Sequence, residues 1–179
     1  MPFALCPPAQ PALLATAFLC ATLVLEPAPA LAAESHATPS PQGRAAELVT
    51  RSLSMLGVDY KWGGNTPDSG LDCSGLVRYV YAETIGRILP RRSVEMSREG
   101  KPVRLDRLEP GDLVFFNTLR RAFSHVGIYI GNNEFVHAPS TGGAVRVESL
   151  DSRYWAARFS GARRLLEGED RRGPAGERR

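Results

Sequence analysis

Apolar residues between Arg44 and Leu56 fall at Ala45, Leu48, Val49, Leu53 and Leu56, at three- and four-residue spacing, and Gly57 follows at once. That rhythm predicts an amphipathic helix over 44–56 with a glycine stop. A second helix is predicted from Cys73, because Asp72 can cap it and Leu76, Val77, Val80, Tyr81 and Thr84 share one face with Cys73. Gly86 is its expected terminator. The stretch between the two helices, Tyr60 to Gly70, is rich in breakers and reads as a loop.

Beyond Gly86 the pattern changes from helical spacing to short apolar runs. Pro90-Arg91-Arg92-Ser93 opens a turn or short helix, and Glu109-Pro110-Gly111-Asp112 is a tight turn leading into a strand at Leu113–Phe116. Three further strands are predicted at His125–Ile130, Phe135–Ala138 and Ala144–Glu148, with Tyr154-Trp155 in a short helix and an edge strand at Arg163–Leu166. Helices first and strands afterwards argue for an α+β domain with an antiparallel sheet.

The two ends have a different character. Ala12 to Leu25 is an unbroken run of small and apolar residues, and Ala30-Leu31-Ala32 follows it. This matches the apolar region and small-residue cleavage site of a secretory signal over 1–32, although no Lys or Arg precedes Arg44 to supply a basic start. A spanning helix needs ~20 apolar residues, more than this run offers, so export to the periplasm or cell envelope is expected without stable membrane insertion. Residues 33–43 read as a flexible linker, 44–166 as the folded domain, and 167–179, dominated by charges, Gly and Pro, as a disordered tail.

Composition is ordinary for a soluble globular protein: of 179 residues, 43% are hydrophobic, and 22 Lys plus Arg stand against 19 Asp plus Glu. No basic stripe interleaved with aromatics and no zinc-finger spacing appears, so a nucleic-acid partner is not expected. A monomer is. Cys6 and Cys20 lie in the expected leader, which leaves Cys73 as the lone thiol of the domain. At a helix start its thiolate would be stabilised by unpaired N–H groups and the macrodipole.

Of three histidines, His36 falls in the linker, while His125 and His137 flank Ile130-Gly131-Asn132-Asn133-Glu134, a hairpin pattern. With a three-residue loop, Gly127 pairs with His137 and the two imidazoles share a face; with a two-residue loop they lie on opposite faces. Either histidine alone is most simply a hydrogen-bonded strand residue. Together with a lone cysteine they suggest a thiol nucleophile, an imidazole base and an orienting group. Zinc held by Cys73, His125 and His137 is the rival chemistry, but its spacing matches no common zinc motif.

Six ordered blocks carry a resemblance: Tyr60-Lys61-Trp62-Gly63-Gly64, Leu71-Asp72-Cys73-Ser74-Gly75-Leu76-Val77, Pro90-Arg91-Arg92-Ser93, Pro110 to Phe116, Ser124 to Gly131, and Phe135 to Ser140. In this order they resemble the NlpC family of papain-like peptidoglycan endopeptidases, over roughly Arg44 to Leu166. The resemblance implies a papain-like fold whose Cys-bearing helix packs on an antiparallel sheet, and a reaction with no metal or organic cofactor. It implies Cys73 as nucleophile, His125 as general base and acid, and His137 as the group that orients His125. Tyr60 matches a tyrosine lining the family's site, and Asp72 and Ser74 match residues near its substrate pocket. Each of these three also has a structural reading, as packing or capping. The block with Arg91 matches only in part, which puts a binding role for Arg91 in doubt. The implied substrate is a wall stem peptide cut beside its diamino acid, after either D-glutamate or D-alanine. A catalytically inactive wall-binding domain and an amidase or acyltransferase on another amide are the alternatives.

Overall fold

Ser40-Pro41 starts the domain three residues earlier than the apolar rhythm suggests. Helix α1 spans Pro41–Leu53: the Ser40 hydroxyl accepts from the Gly43 amide at 3.1 Å, and Pro41 sits where its missing N–H costs nothing. The helix also ends early, so the predicted face fits only in part. Leu48 is buried, whereas Leu53 and Leu56 are exposed and Ser52 and Met55 take the inner places, because the chain has left helical geometry after Leu53. The structure, a computed structural model, describes residues 40–140 and 143–166. The expected leader, the linker up to residue 39 and the charged tail lie outside the described residues.

Helix α2 spans Cys73–Ile85, capped by Asp72 and closed by Gly86 in the left-handed conformation at φ 67°, as the sequence predicts. A two-residue ladder of β1 (Asn65–Thr66) and β2 (Gly70–Leu71) precedes it, and α3 (Ser93–Met96) follows. The remaining strands are β3 (Lys101–Val103), β4 (Leu113–Phe116), β5 (His125–Gly131), β6 (Glu134–His137), β7 (Arg146–Ser149) and β8 (Phe159–Arg164), with helix α4 (Arg153–Ala156) before β8. They form one antiparallel sheet in the order β3-β8-β4-β5-β6-β7.

The last strand corrects an expectation. It runs over 159–164 and is internal, between β3 and β4, while the unpredicted β3 forms the edge. Consecutive arginines disguised it, and their guanidinium groups are accommodated at the sheet: Arg163 donates to the Ser97 carbonyl and Arg164 makes paired contacts with Asp112 at 2.8 Å.

Alternation along the strands builds two cores. Leu113, Phe115, Val126, Ile128 and Val136 meet Leu76, Val77, Val80 and Tyr81 of α2 on one face. Val114, Phe116, Tyr129 and Phe135 turn to the other face, where Trp155 of α4 covers them. The Tyr81 hydroxyl donates to the Gly111 carbonyl at 2.6 Å, tying α2 to the turn before β4. Among the described residues no helix is long and apolar enough to cross a membrane.

The β5–β6 hairpin takes neither predicted form. Asn132 and Asn133, at φ 52° and 57°, make a two-residue loop, and Gly131 pairs with Glu134. A bulge at Ile130 then shifts the ladder by one residue, so that Tyr129 pairs with Phe135 and Ile128 with Val136. The bulge supplies the offset that a third loop residue would have supplied. One step further along, Gly127 comes opposite His137, and both histidines fall on the same face. Gly127 leaves room there for the Phe135 ring, which a Cβ would approach to 2.6 Å.

Candidate functional site

Cys73 begins α2 with Asp72 immediately before it, and the Asp72 carboxylate is saturated with donors. One oxygen accepts from the Gly75 amide at 2.7 Å, the Ser74 hydroxyl at 3.1 Å and Arg91 at 3.0 Å; the other accepts from the Gly63 amide at 3.0 Å and Arg91 at 2.5 Å. Arg91 also donates to the Ser74 hydroxyl at 2.6 Å. Asp72 thus caps the helix, fixes the Tyr60–Gly64 loop and takes a two-pronged guanidinium contact. The Ser74 amide lies beside the thiol and takes no part in the cap. Gly75 is required at this point, since any Cβ would collide with the Gly64 carbonyl. Arg91, doubtful from sequence, is the cation that completes the cluster.

His125 opens β5, and its ring stands at the strand end where the start of α2 arrives; the neighbouring Val126 amide lies at the Cys73 sulfur. His125 Nε2 is 2.8 Å from His137 Nδ1. Both rings are buried, His137 completely. Trp155 stacks on His125 at 5.6 Å and 24°, and meets His137 edge-to-face at 4.9 Å. Nothing in the periodicity of the sequence marked Trp155 beyond a short helix. Tyr60, half-buried, faces Cys73, Asp72 and Arg91 closely enough to feel their charges. The structure therefore brings all six sequence-predicted residues into one region and adds Arg91 and Trp155. The two imidazoles point at each other, not at a common centre. Among the described residues no group of three or more His, Cys, Asp or Glu is arranged to hold a metal ion.

The sequence pattern of the NlpC/P60 family matches residues 57–164, which hold every one of these side chains. The chain belongs to the NlpC/P60 family. It is 40% identical over 121 residues to murein DD-endopeptidase MepH of Escherichia coli strain K12, covering 66% of this chain and 45% of that one. To murein DD-endopeptidase MepS/murein LD-carboxypeptidase of the same strain it is 46% identical over 122 residues, 66% of this chain and 62% of that one. The chain spans about half the length of the first curated relatives it matches. Among solved structures, an NlpC/P60 family protein from Bacillus cereus superposes with a TM-score of 0.64 at 33% identity, over 68% of this chain and 40% of that one. The peptidoglycan hydrolase RipB of Mycobacterium tuberculosis gives 0.61 at 30% identity, over 72% and 67%. The papain-like α+β fold expected from the sequence is the fold of these neighbours.

Burial decides the charge state of this NlpC/P60 site. It pushes the Cys73 thiol up to about 11, with the Asp72 charge adding to the effect, and the amides of Val126 and Ser74 and the Arg91 cation only partly oppose it. The helix-start stabilisation of a thiolate expected from sequence is real in sign but loses to desolvation. Burial likewise takes His125 down to about 4 and His137 to about 2, the latter with help from His125 and Arg146. The resting pair is a neutral thiol beside a neutral imidazole. A neutral His125 that donates Nε2–H to His137 keeps Nδ1 free to accept a proton, and His137 then carries its hydrogen on Nε2. That Nε2 is buried with no hydrogen-bond partner among the described residues, between Phe135 and Trp155.

Proposed function

We propose that this chain is an exported cysteine endopeptidase that hydrolyses peptide bonds in peptidoglycan stem peptides or cross-links, acting as a monomer in the periplasm or cell envelope. The observation that carries this reading is the thiol at the start of α2 beside a buried histidine pair 2.8 Å apart, inside an NlpC/P60 domain. Relatives named as murein endopeptidases support the substrate class.

In this reading Cys73 is the nucleophile, His125 the base and acid, and His137 the positioning residue. As the sulfur bonds to the carbonyl carbon, the S–H proton passes to His125 Nδ1 and the carbonyl electrons collect on oxygen. In this reading the Ser74 amide, beside the thiol, and the Tyr60 hydroxyl receive that oxyanion. Tyr60 stays protonated, its ionisation pushed up by burial and by Cys73 and Asp72, so it remains a donor. When the C–N bond breaks, His125 returns its proton to the leaving amine. Water then attacks the thioester, losing a proton to His125, and the thiol regains it as the C–S bond breaks. Asp72 and Ser74, locked on Arg91, hold the helix start in place and line the acyl side.

Purified peptidoglycan incubated with the mature protein and analysed by mass spectrometry tests this. New peptide termini beside the diamino acid are expected. Intact peptides released from the glycan would indicate an amidase, and an unchanged wall would indicate a binding domain.

A further inference from the structure

The loop between β4 and β5 and the start of α4 carry charge that the mechanism does not use. Leu119 of the loop and Tyr154 of α4 both line a cavity of about 640 Å³ that includes His125. Arg120 and Arg121 follow Leu119, Arg153 precedes Tyr154, and all three arginines are exposed. The two segments adjoin, since the Asn117 amide donates to the Arg158 carbonyl at 2.8 Å. Neither 117–124 nor 152–160 contains an Asp or Glu. Carboxylates on adjoining elements are already engaged: Glu95 with Arg92, Glu148 with Arg146, and Asp151 with the Asn133 side-chain amide. Among the described residues the guanidinium groups of Arg120, Arg121 and Arg153 have no hydrogen-bond or ion-pair partner. The loop that carries two of them is a fixed mount. Arg120 at φ 53° and Phe123 at φ 57° lie in the left-handed region, which is strained for side chains of this size. Anchors on both sides hold them there: the Ser124 hydroxyl accepts from the Thr118 and Leu119 amides at 2.9 and 3.2 Å, the Ser93 hydroxyl donates to the Phe123 carbonyl at 2.7 Å, and the Phe123 ring packs edge-on against Phe115.

We propose that Arg120, Arg121 and Arg153 form a docking surface outside the cleft for the carboxylates of wall peptides other than the one being cut. This rests on the endopeptidase reading and adds to it a second point of attachment on the same polymer. A wall strand repeats acidic peptides, so while one peptide occupies the cleft its neighbours present carboxylates to the rim, and planar guanidinium forks suit them. Each such contact at an exposed surface is weak on its own. Joined through one polymer, the contacts act at a high effective concentration, so the surface raises retention on the wall and leaves the chemistry at Cys73 unchanged. The fixed loop lowers the cost of ordering two of the three side chains on binding. A soluble peptide with no neighbours gains nothing from the surface, and that difference is what an experiment can read.

The test separates holding from cutting. Retention on insoluble purified wall is measured in a Cys73→Ser background, so that the wall is not digested, and kcat/KM on a soluble single stem peptide is measured with Cys73 present. Arg120→Gln/Arg121→Gln should lower retention at low salt by roughly fivefold, and adding Arg153→Gln should bring the loss to about tenfold. Arg98→Gln/Arg107→Gln, which removes the same charge from exposed positions elsewhere, should change retention by less than about twofold. The soluble rate should stay within about twofold of wild type in every variant, which also shows that each is folded. In about 0.5 M salt the differences should disappear, and amidating the carboxylates of the wall should reduce wild-type retention to that of the triple variant. Wild-type retention in the triple variant, or equal losses for the two double variants, would overturn the surface. A soluble rate that falls along with retention would overturn it too, by placing these arginines in the cleft. Retention that survives amidation of the wall, or arginine-dependent binding to phosphatidylglycerol vesicles without arginine-dependent retention on the wall, would replace the carboxylates with phosphate or a membrane surface. If wild type cuts no stem peptide while retention still depends on the three arginines, the endopeptidase reading fails and the docking surface stands.

Discussion

The two halves of the site are built on opposite principles. On the helix side, Cys73 sits among charges and donors: five hydrogen bonds saturate Asp72, and Arg91 ties the carboxylate to Ser74. On the sheet side, the His125 and His137 rings hydrogen-bond to each other and to no other side chain among the described residues, and their ring neighbours are aromatic: Phe116, Phe135 and Trp155. The first half is held by electrostatics and the second by packing. A saturated carboxylate fixes geometry without ionising the thiol, and an apolar wall keeps the imidazole neutral and able to accept a proton. The difference teaches that, in the proposed mechanism, activation comes from a buried base and not from a preformed thiolate.

Removing the reacting atoms on either side should have the largest effect. Cys73→Ser and His125→Ala should each lower wall hydrolysis by about a thousandfold or more, with the double variant hardly worse, because groups that act as one unit are not additive. Steady-state rates on soluble stem peptides, with circular dichroism as a check on folding, measure this. A serine variant within a few-fold of wild type would remove the covalent step from the account.

Next in size is the hydrogen bond between the imidazoles. His137→Asn can still accept from His125 Nε2 and should keep most activity, whereas His137→Ala should lose roughly tenfold to a hundredfold. Equal rates for the two would reduce His137 to packing. The pH profile must separate them as well, because an unheld His125 ring changes its titration and a purely structural loss does not.

A smaller effect probes the apolar wall. His125 must be neutral to act as base, and burial puts its pKa at about 4 against an ordinary 6.5, so kcat/KM should fall only as pH drops towards 4. Trp155→Leu lets water reach the ring, so the acid limb should move up, between 4 and 6.5, with a loss of about tenfold at most near neutrality. An unmoved limb would mean that Trp155 is not what keeps the base dry. The same burial makes the fold acid-sensitive: the unfolded chain binds protons at histidines the native state leaves neutral, so stability falls with pH below about 6.5.

Asp72→Asn, on the charged side, should change rate least and stability more. It removes a cap and the partner of Arg91, and about 2 kcal/mol is expected after allowing for the partly exposed guanidinium. Thermal denaturation beside activity at a permissive temperature would sharpen the contrast with Trp155→Leu. A variant with full stability but a displaced acid limb would reverse the roles assigned to the two halves.

Legibility in the sequence followed the same division. Asp72, Cys73 and Gly86 announced α2 because capping and glycine signals are local, and the six ordered blocks pointed to the fold. The histidine pair was readable only as a choice between registers, since the bulge at Ile130 that settles it leaves no mark in residue type. Strand β8 was misplaced at the edge because its arginines look like surface, and their partners Asp112 and the Ser97 carbonyl are more than fifty residues away in sequence. Arg91 was left in doubt and Trp155 was missed for the same reason: each matters through a contact across the fold, Arg91 to Asp72 and Trp155 to His125. The thiol's charge state was also beyond reach, because helix-start stabilisation is visible in a sequence and desolvation is not.

The central claim, that a buried neutral histidine and the Cys73 thiol act together on a peptide carbonyl, is tested most directly by intact-mass analysis of the protein quenched during turnover of a stem peptide. The account predicts a fraction of molecules heavier by the acyl half of the substrate, with the added mass on the tryptic peptide that contains Cys73 and absent from His125→Ala. Steady product release with every protein molecule unmodified, and undiminished in Cys73→Ser, would contradict it.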